Sequence, residues 1–297
     1  MLQFLLDVLI RTADLLLVSV GVSTLYSLVR FPNIAHVQYA MLGAFVTLWC
    51  QRAGMPFGLA LAVSCVLLGV MAVLLNALVF SRLLLRGSAN AMIGSLAVSM
   101  ILIAFVLAVE GSRPQHYAFE VAPPWMIAGM PVSTGQLASI GCGAATLLLF
   151  GTLLFRTNLG RSMRALSSNR PLALATGIDA TRVTAIITFA SGALAALGGT
   201  MLGLSEDVHL NLGNGLLLPV FAAAILGGLG NPLGAAAGAL LIALAETFVT
   251  NIDFGFLFGR QLVFLPVTYI GAASFAILLL ALLVRPYGLF DREVRRV

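Results

Sequence analysis

Followed residue by residue, the chain alternates long apolar runs with short polar links. The runs Phe57–Phe80, Ala91–Val109, Leu137–Phe155, Val183–Leu204 and Leu262–Val284 are nearly free of charge. Each approaches the ~20 residues that a helix needs to cross ~30 Å of hydrocarbon. A membrane β-barrel would instead alternate apolar and polar positions over strands of about ten residues. The pattern therefore predicts an all-α protein, a polytopic transmembrane helical bundle with about 8–10 membrane segments, some interrupted or re-entrant. The segments fall at 5–28, 34–50, 57–80, 91–110, 136–155, 183–204, 216–230, 233–250 and 262–284, within a single transmembrane domain spanning 1–297. The first is expected to be retained rather than removed as a signal peptide. It lacks a basic leading region, carries Asp7 early and is too long for an ordinary signal core.

Two stretches break the pattern. Phe31-Pro-Asn-Ile-Ala-His-Val-Gln-Tyr39 places Pro32, Asn33, His36 and Gln38 at the mouth of a short span, and Ala224–Gly234 is too rich in Gly and Pro for an unbroken lipid-facing helix. Irregular backbone at membrane depth persists only where protein or a water-filled cavity satisfies it, and interrupted segments commonly line a transport path. Asn33, His36, Gln38, Gly227, Gly228 and Gly230 are accordingly candidate pathway residues, with helix capping as the alternative for Asn33, His36 and Gln38. Glu246 lies within a span, where a buried charge is costly and points to function, unless it sits near the outer water interface. Asn76 reads as a hydrogen-bonding group between helices. Gly192, Gly198, Gly199 and Gly203, with alanines around them, read as a close-packing helix face. No residue-level internal repeat is evident.

Composition supports the membrane reading: 60% of residues are apolar and 9% charged, with a mean hydropathy of +1.06, against roughly a quarter charged in a soluble domain. The net charge of +5 does not point to nucleic acid, because no segment sets base-stacking aromatics beside basic groups on a polar face. All sixteen basic residues are Arg, and twelve lie in one alternate set of links: Arg30, Arg82, Arg86, Arg156, Arg161, Arg164, Arg170, Arg182, Arg285, Arg292, Arg295 and Arg296. The opposite set collects Asp7, Glu110, Glu120, Glu206, Asp207 and Asp253. The positive-inside rule then places the C-terminus and the 156–182 link in the cytoplasm, facing lipid headgroups, and the N-terminus outside. Cys50, Cys65 and Cys142 lack any CxxC spacing and read as small buried hydrophobes. Without Lys there is no standard GxxxxGK[ST] phosphate loop, and HExxH, GxSxG and clustered acid pairs are absent too. An enzyme is not expected, nor a metal or a cofactor.

The 156–182 link holds most of the remaining information. Arg161–Ser168 and Pro171–Thr176 read as two short helices, with Asn169 as an N-cap and Gly177 as a C-terminal stop. Leu172, Leu174 and Ala175 give the second helix a small apolar face, while Arg161, Arg164 and Arg170 make the link basic. Such a helix suits a groove on a soluble partner. An ordinary positive-inside loop is the alternative.

The link, with four further strings, resembles the branched-chain amino-acid permease family of ABC importers, the LivH/LivM type. The strings are Asn33-Ile-Ala-His36 with Met41-Leu-Gly-Ala44; Thr157-Asn-Leu-Gly-Arg-Ser-Met-Arg-Ala165 through Ala175-Thr-Gly-Ile178; Phe189-Ala-Ser-Gly-Ala-Leu-Ala-Ala-Leu-Gly-Gly199; Leu226-Gly-Gly-Leu-Gly-Asn-Pro-Leu-Gly-Ala235; and Arg285-Pro-Tyr-Gly-Leu-Phe290. The first points to the LivH-like half of a heterodimer. The resemblance implies a pore subunit of the bacterial inner membrane, working with a LivM-like permease, two cytoplasmic LivG/LivF-like ATPases and a periplasmic solute-binding protein. It also makes the link an ATPase-coupling loop through Arg161, Arg164, Asn169, Leu172, Ala175, Gly177 and Ile178, with ATP hydrolysed on the partners. The family usually has Gly and then an acid after this His, whereas Val37 and Gln38 follow here. That departure widens the expected solute from a branched-chain amino acid to other amino acids, amide or urea-like compounds or small carboxylates. The rival function is a stand-alone ion-coupled secondary transporter or channel, for which Glu246 and Asp14 are the few intramembrane acids available.

Overall fold

The computed structural model describes residues 2–118, 125–127, 129–252 and 270–284. They form a polytopic helical membrane bundle. Its elements are α1 (Leu2–Val29), α2 (His36–Arg52), α3 (Phe57–Leu84), α4 (Ser88–Glu110), the hairpin β1 (Trp125–Ile127) and β2 (Met130–Val132), and α5 (Thr134–Arg156). There follow α6 (Asn158–Ser168), α7 (Arg170–Ala175), α8 (Ala180–Ser205), α9 (Leu212–Leu226), α10 (Pro232–Asn251) and α11 (Ile270–Val284). Each expected span coincides with a helix, although the part of the last before Ile270 lies outside the described residues. One boundary is corrected. The span expected over 216–230 is α9, which ends at Leu226 because Gly228 and Gly230 take positive φ, 93° and 92°, in a turn leading into α10.

Burial sorts the helices into layers. α1 is buried on every face from residue 13 to 25, consistent with its lack of a polar stripe: a helix apolar all round belongs in the core. It packs against α5, α8, α9 and α10. α3, α4 and α5 turn leucines, valines and isoleucines such as Leu59, Val66, Leu96, Ile101 and Leu148 outward. With α8 and α10, these are the helices long and apolar enough to cross a membrane among the described residues. Asn76 opens a π-helical turn within α3, and no hydrogen bond joins its side chain to another helix among the described residues.

Two ends of the bundle can be told apart from within. At one end α6 and α7 cover the start of α8, and Arg30, in a left-handed conformation (φ 54°) after α1, donates from Nη2 to the Ser167 carbonyl at 2.6 Å. At the other end the 111–118 and 206–211 links meet through the Gln115–Val208 bridge. There Glu110 accepts from Arg52 at 2.8 and 2.9 Å and from the Trp49 indole at 2.6 Å. The 26 residues of α8 separate these ends by about 39 Å.

Candidate functional site

The 156–182 link adopts the expected form. Thr157 caps α6 by accepting from Gly160 N at 3.1 Å, Asn169 caps α7 by accepting from Leu172 N at 3.1 Å, and Asp179 caps α8 by accepting from Arg182 N at 3.0 Å. Gly177 closes α7 with φ 84°, its N–H bonded to the Leu174 carbonyl, a conformation that costs an L-residue roughly 1–2 kcal/mol. The underside is anchored: Met163, Leu166 and Ala173 share an apolar cluster with Leu28, Leu154, Val183 and Ile187. The upper surface is free. Leu172 and Leu174 are 62% and 50% exposed, Ala175 is exposed beside them and Ile178 is half-buried; Arg161, Arg164, Asn169 and Arg170 are exposed in the same link, with Arg164 turned to the Leu154 carbonyl and the Phe155 ring. The link is thus a rigid knob on the start of α8.

The first interrupted stretch leads into α2 at His36, with Pro32 and Asn33 just before the helix. Residues 31–35 run back into the bundle, so α2 begins level with Gly21 of α1 and Ser191 of α8. His36 is fully buried there, its Nδ1 3.3 Å from Ser191 Oγ and its Nε2 against Gly21. Asn33 Oδ1 accepts from Ala35 N at 3.1 Å, a local turn bond, while Ser95 Oγ accepts from Ile34 N at 3.0 Å. Gln38 is 1% exposed and reaches across to α9, donating from Nε2 to Asn214 Oδ1 at 2.8 Å.

Gln38 thereby touches the wall of a cavity of about 430 Å³ that opens between α1, the end of α8, and α9. Its polar lining is Arg11, Glu206, His209, Asn211 and Asn214; Leu202, Leu212, Leu216, Leu218 and Pro219 supply an apolar side. Arg11 also donates from Nε to Glu246 at 2.7 Å, and Glu246 accepts from Ser274 of α11. Glu246 is 2% exposed, and Asp14, 4% exposed, lies one turn along α1 within the electrostatic reach of Arg11. Glu246 is therefore buried within the protein, and its immediate work is to fasten α10 and α11 to α1.

The Gly-rich turn divides its members between packing and a second cavity. Gly227 and Gly234 lie face to face, each where the other's carbonyl leaves no room for a Cβ, which lets α9 and α10 form a tight hairpin. Gly228 supplies the turn, and Gly230 lines a cavity of about 400 Å³ with Tyr26, Ser27, Arg30, Ser167 and Asn231, next to the α6 knob. Gly227 and Gly228 thus have packing reasons of their own, and Gly230, Gln38, His36 and Glu246 are not gathered around one void. Arg11, Glu206, His209, Asn211 and Asn214 were missed by the sequence reading. The usable signal was charge balance: Arg11 and Asp14 sit one turn apart inside a span, and a buried acid elsewhere demands a cation.

A family model described as branched-chain amino acid transport system, permease component, matches residues 4–284. The chain is 28% identical to the probable branched-chain amino acid transport permease protein LivH of Methanocaldococcus jannaschii, over 93% of this chain and 88% of that one. It is 29% identical to the high-affinity branched-chain amino acid transport system permease protein LivH of Escherichia coli strain K12, over 95% and 92%. With the corresponding permease protein BraD of Pseudomonas aeruginosa, identity is 26% over 95% and 93%. Among solved structures, PsaBC from Streptococcus pneumoniae in complex with Fab aligns with a TM-score of 0.52 at 16% identity, over 96% of this chain and 92% of that one, a likeness of fold.

Proposed function

The chain belongs to the family of permease components of branched-chain amino acid transport systems, and from that premise we propose that it is the pore subunit of an ATP-driven importer for a small polar solute. The family makes it a membrane permease rather than an enzyme. In this reading its partners are a second, LivM-like permease, two LivG/LivF-like ATPases and a solute-binding protein. The single domain spans the chain, and the C-terminus and the 156–182 link face the ATPases.

The observation that carries the proposal is the knob formed by α6 and α7. An exposed leucine pair on a capped helix, fixed from beneath and carried by a link rich in exposed Arg, offers a partner an apolar tooth in a basic segment. Asp179 caps α8 directly after it, so a displacement of the knob enters a helix that runs to the cavity about 39 Å away. α8 holds Ser191 against His36 on the way. ATP binding on the partners would supply the differential free energy between two states of this lever. Arg161, Arg164, Asn169, Leu172, Ala175, Gly177 and Ile178 serve coupling; Gln38, with His36 and Asn33 behind it, and Glu246 through Arg11 serve the solute path.

Leu172→Asp tests this reading. An exposed side chain costs the fold within about 0.5 kcal/mol when replaced, so insertion and thermal stability in detergent are expected to stay at wild-type level. Retention of the ATPase on the tagged chain, expressed with its genomic neighbours, is expected to fall at least tenfold, as is uptake. Unchanged retention and uptake would return the link to an ordinary basic loop. Gly177→Val should likewise depress uptake with insertion intact, because Val strains the φ 84° turn that sets the knob on α8.

A further inference from the structure

Resting on the permease reading, we propose that residues 111–118 are a releasable strap across the lip of the cavity between α1, α8 and α9, and that the lip must leave the strap for solute to pass. The lip is the 206–211 link between α8 and α9, which supplies Glu206, His209 and Asn211 to the cavity wall. Between those residues, Asp207 and Val208 are held by the strap. Gln115 and Val208 exchange both backbone hydrogen bonds, at 2.9 and 2.8 Å, and His116 Nδ1 lies 2.9 Å from the Asp207 carboxylate.

The strap grips its two sides unequally. On the bundle side the grip is deep. The buried Tyr117 donates its hydroxyl to the Ala44 carbonyl of α2 at 3.0 Å and turns its ring edge to Phe57 of α3, with centroids 5.7 Å apart. Arg52 of α2 donates to Glu110 at 2.8 Å and to Gln115 Oε1 at 2.7 Å, which fixes the strap where it leaves α4. On the lip side the grip is shallow: an isolated bridge, and a contact whose side chains are 73% and 48% exposed. Exposed pairs of this kind hold weakly. α2 and α8 meanwhile meet backbone to backbone at Gly43 and Gly199, so they move as one body and carry the strap with them. Breaking the bridge and the His116–Asp207 contact therefore frees Glu206, His209 and Asn211 while both deep anchors stay whole.

A reversible lock tests this. In an antiparallel bridge the pair next to a hydrogen-bonded one sits about 4.5 Å apart between Cα atoms, within the roughly 4.4–6.8 Å that a disulfide spans. His116→Cys with Asp207→Cys, in a background with Cys50, Cys65 and Cys142 changed to Ala, places a disulfide between strap and lip. Neither residue lines the cavity. The full chain, co-purified with its partner subunits, is reconstituted in phosphatidylcholine–phosphatidylglycerol vesicles. ATP-dependent uptake of L-leucine, L-glutamine and urea is measured after oxidation and again after reduction with dithiothreitol, with loss of maleimide labelling reporting the disulfide. Oxidation is expected to lower uptake by at least about tenfold, and reduction to restore it, because a conformational step that cannot occur stops turnover. Each single-Cys variant is expected to transport equally well under both conditions. A disulfide that forms and leaves uptake unchanged shows a static clasp and overturns the inference, with the permease reading intact. Failure of the disulfide to form overturns it too, because strap and lip are then not paired. A background chain that accumulates none of the three solutes under ATP fails the permease reading itself, and the strap's role falls with it.

Discussion

Gly199→Ala is expected to disable the protein before it reaches any transport assay. A Cβ at Gly199 would overlap the Ala40 carbonyl and come within 2.7 Å of Ala40 Cα, so no flexible side chain can yield to it. The facing position repeats the constraint, since a Cβ at Gly43 would lie 2.5 Å from Ala196 Cα. α2 and α8 touch backbone to backbone there, the geometry small residues permit in membrane helices. Separating them costs the dispersion contacts of the whole crossing and the register of Gln38 and His36 against α9 and α8. Overpacking typically costs 1–3 kcal/mol even where side chains can move, so about 3 kcal/mol or more is expected here. The measurement is thermal unfolding in detergent, with Gly141→Ala as control, because a Cβ at Gly141 of α5 meets nothing within 4 Å. Gly199→Ala behaving like Gly141→Ala would show that the two helices are not packed this closely.

The second large effect is an asymmetry in the Arg11 cluster. Breaking a buried ion pair by removing one partner costs about 3–5 kcal/mol, because the other charge is left unpaired. Glu246→Leu should fall toward the lower figure, since Arg11 is 23% exposed and retains Asp14 nearby. Arg11→Met should cost more, because it strands two acids, Glu246 at 2% and Asp14 at 4% exposure. The double variant Arg11→Met with Glu246→Leu is expected to be more stable than the sum of the singles by more than about 1 kcal/mol, the range for residues in direct contact. Additive losses would mean that the charges do not act as a pair. Ser274 of α11 donates to the same carboxylate, so Glu246→Leu also removes a hydrogen bond between α10 and α11.

These two sites show where sequence reasoning reached and where it stopped. The spans were legible because lipid solvation demands a run of apolar residues regardless of tertiary contacts. The α8 glycines were readable as a packing face, and Gly192, Gly198, Gly199 and Gly203 each meet a neighbour within 3 Å of an added Cβ. The capped pair α6–α7 was legible from Asn169, Pro171 and Gly177, whose roles are local. Glu246 was visible as an oddity, but its partner lies 235 residues away and no local pattern names it. The 31–39 stretch was seen as irregular, yet its re-entry to the level of Gly21 depends on contacts with α8 and α4 that the chain order conceals. The Glu206–Asn214 cavity is assembled from a helix end and a helix start that read as an ordinary outer loop.

Transport is expected to draw its energy from ATP on the partner subunits. Proteoliposomes carrying the full chain with its co-purified partners should accumulate solute when MgATP is supplied on the ATPase side, and should show no accumulation under a proton or sodium gradient alone. Accumulation driven by an ion gradient without ATP, in vesicles from which the ATPases have been stripped, would contradict the importer reading and make the chain a secondary transporter.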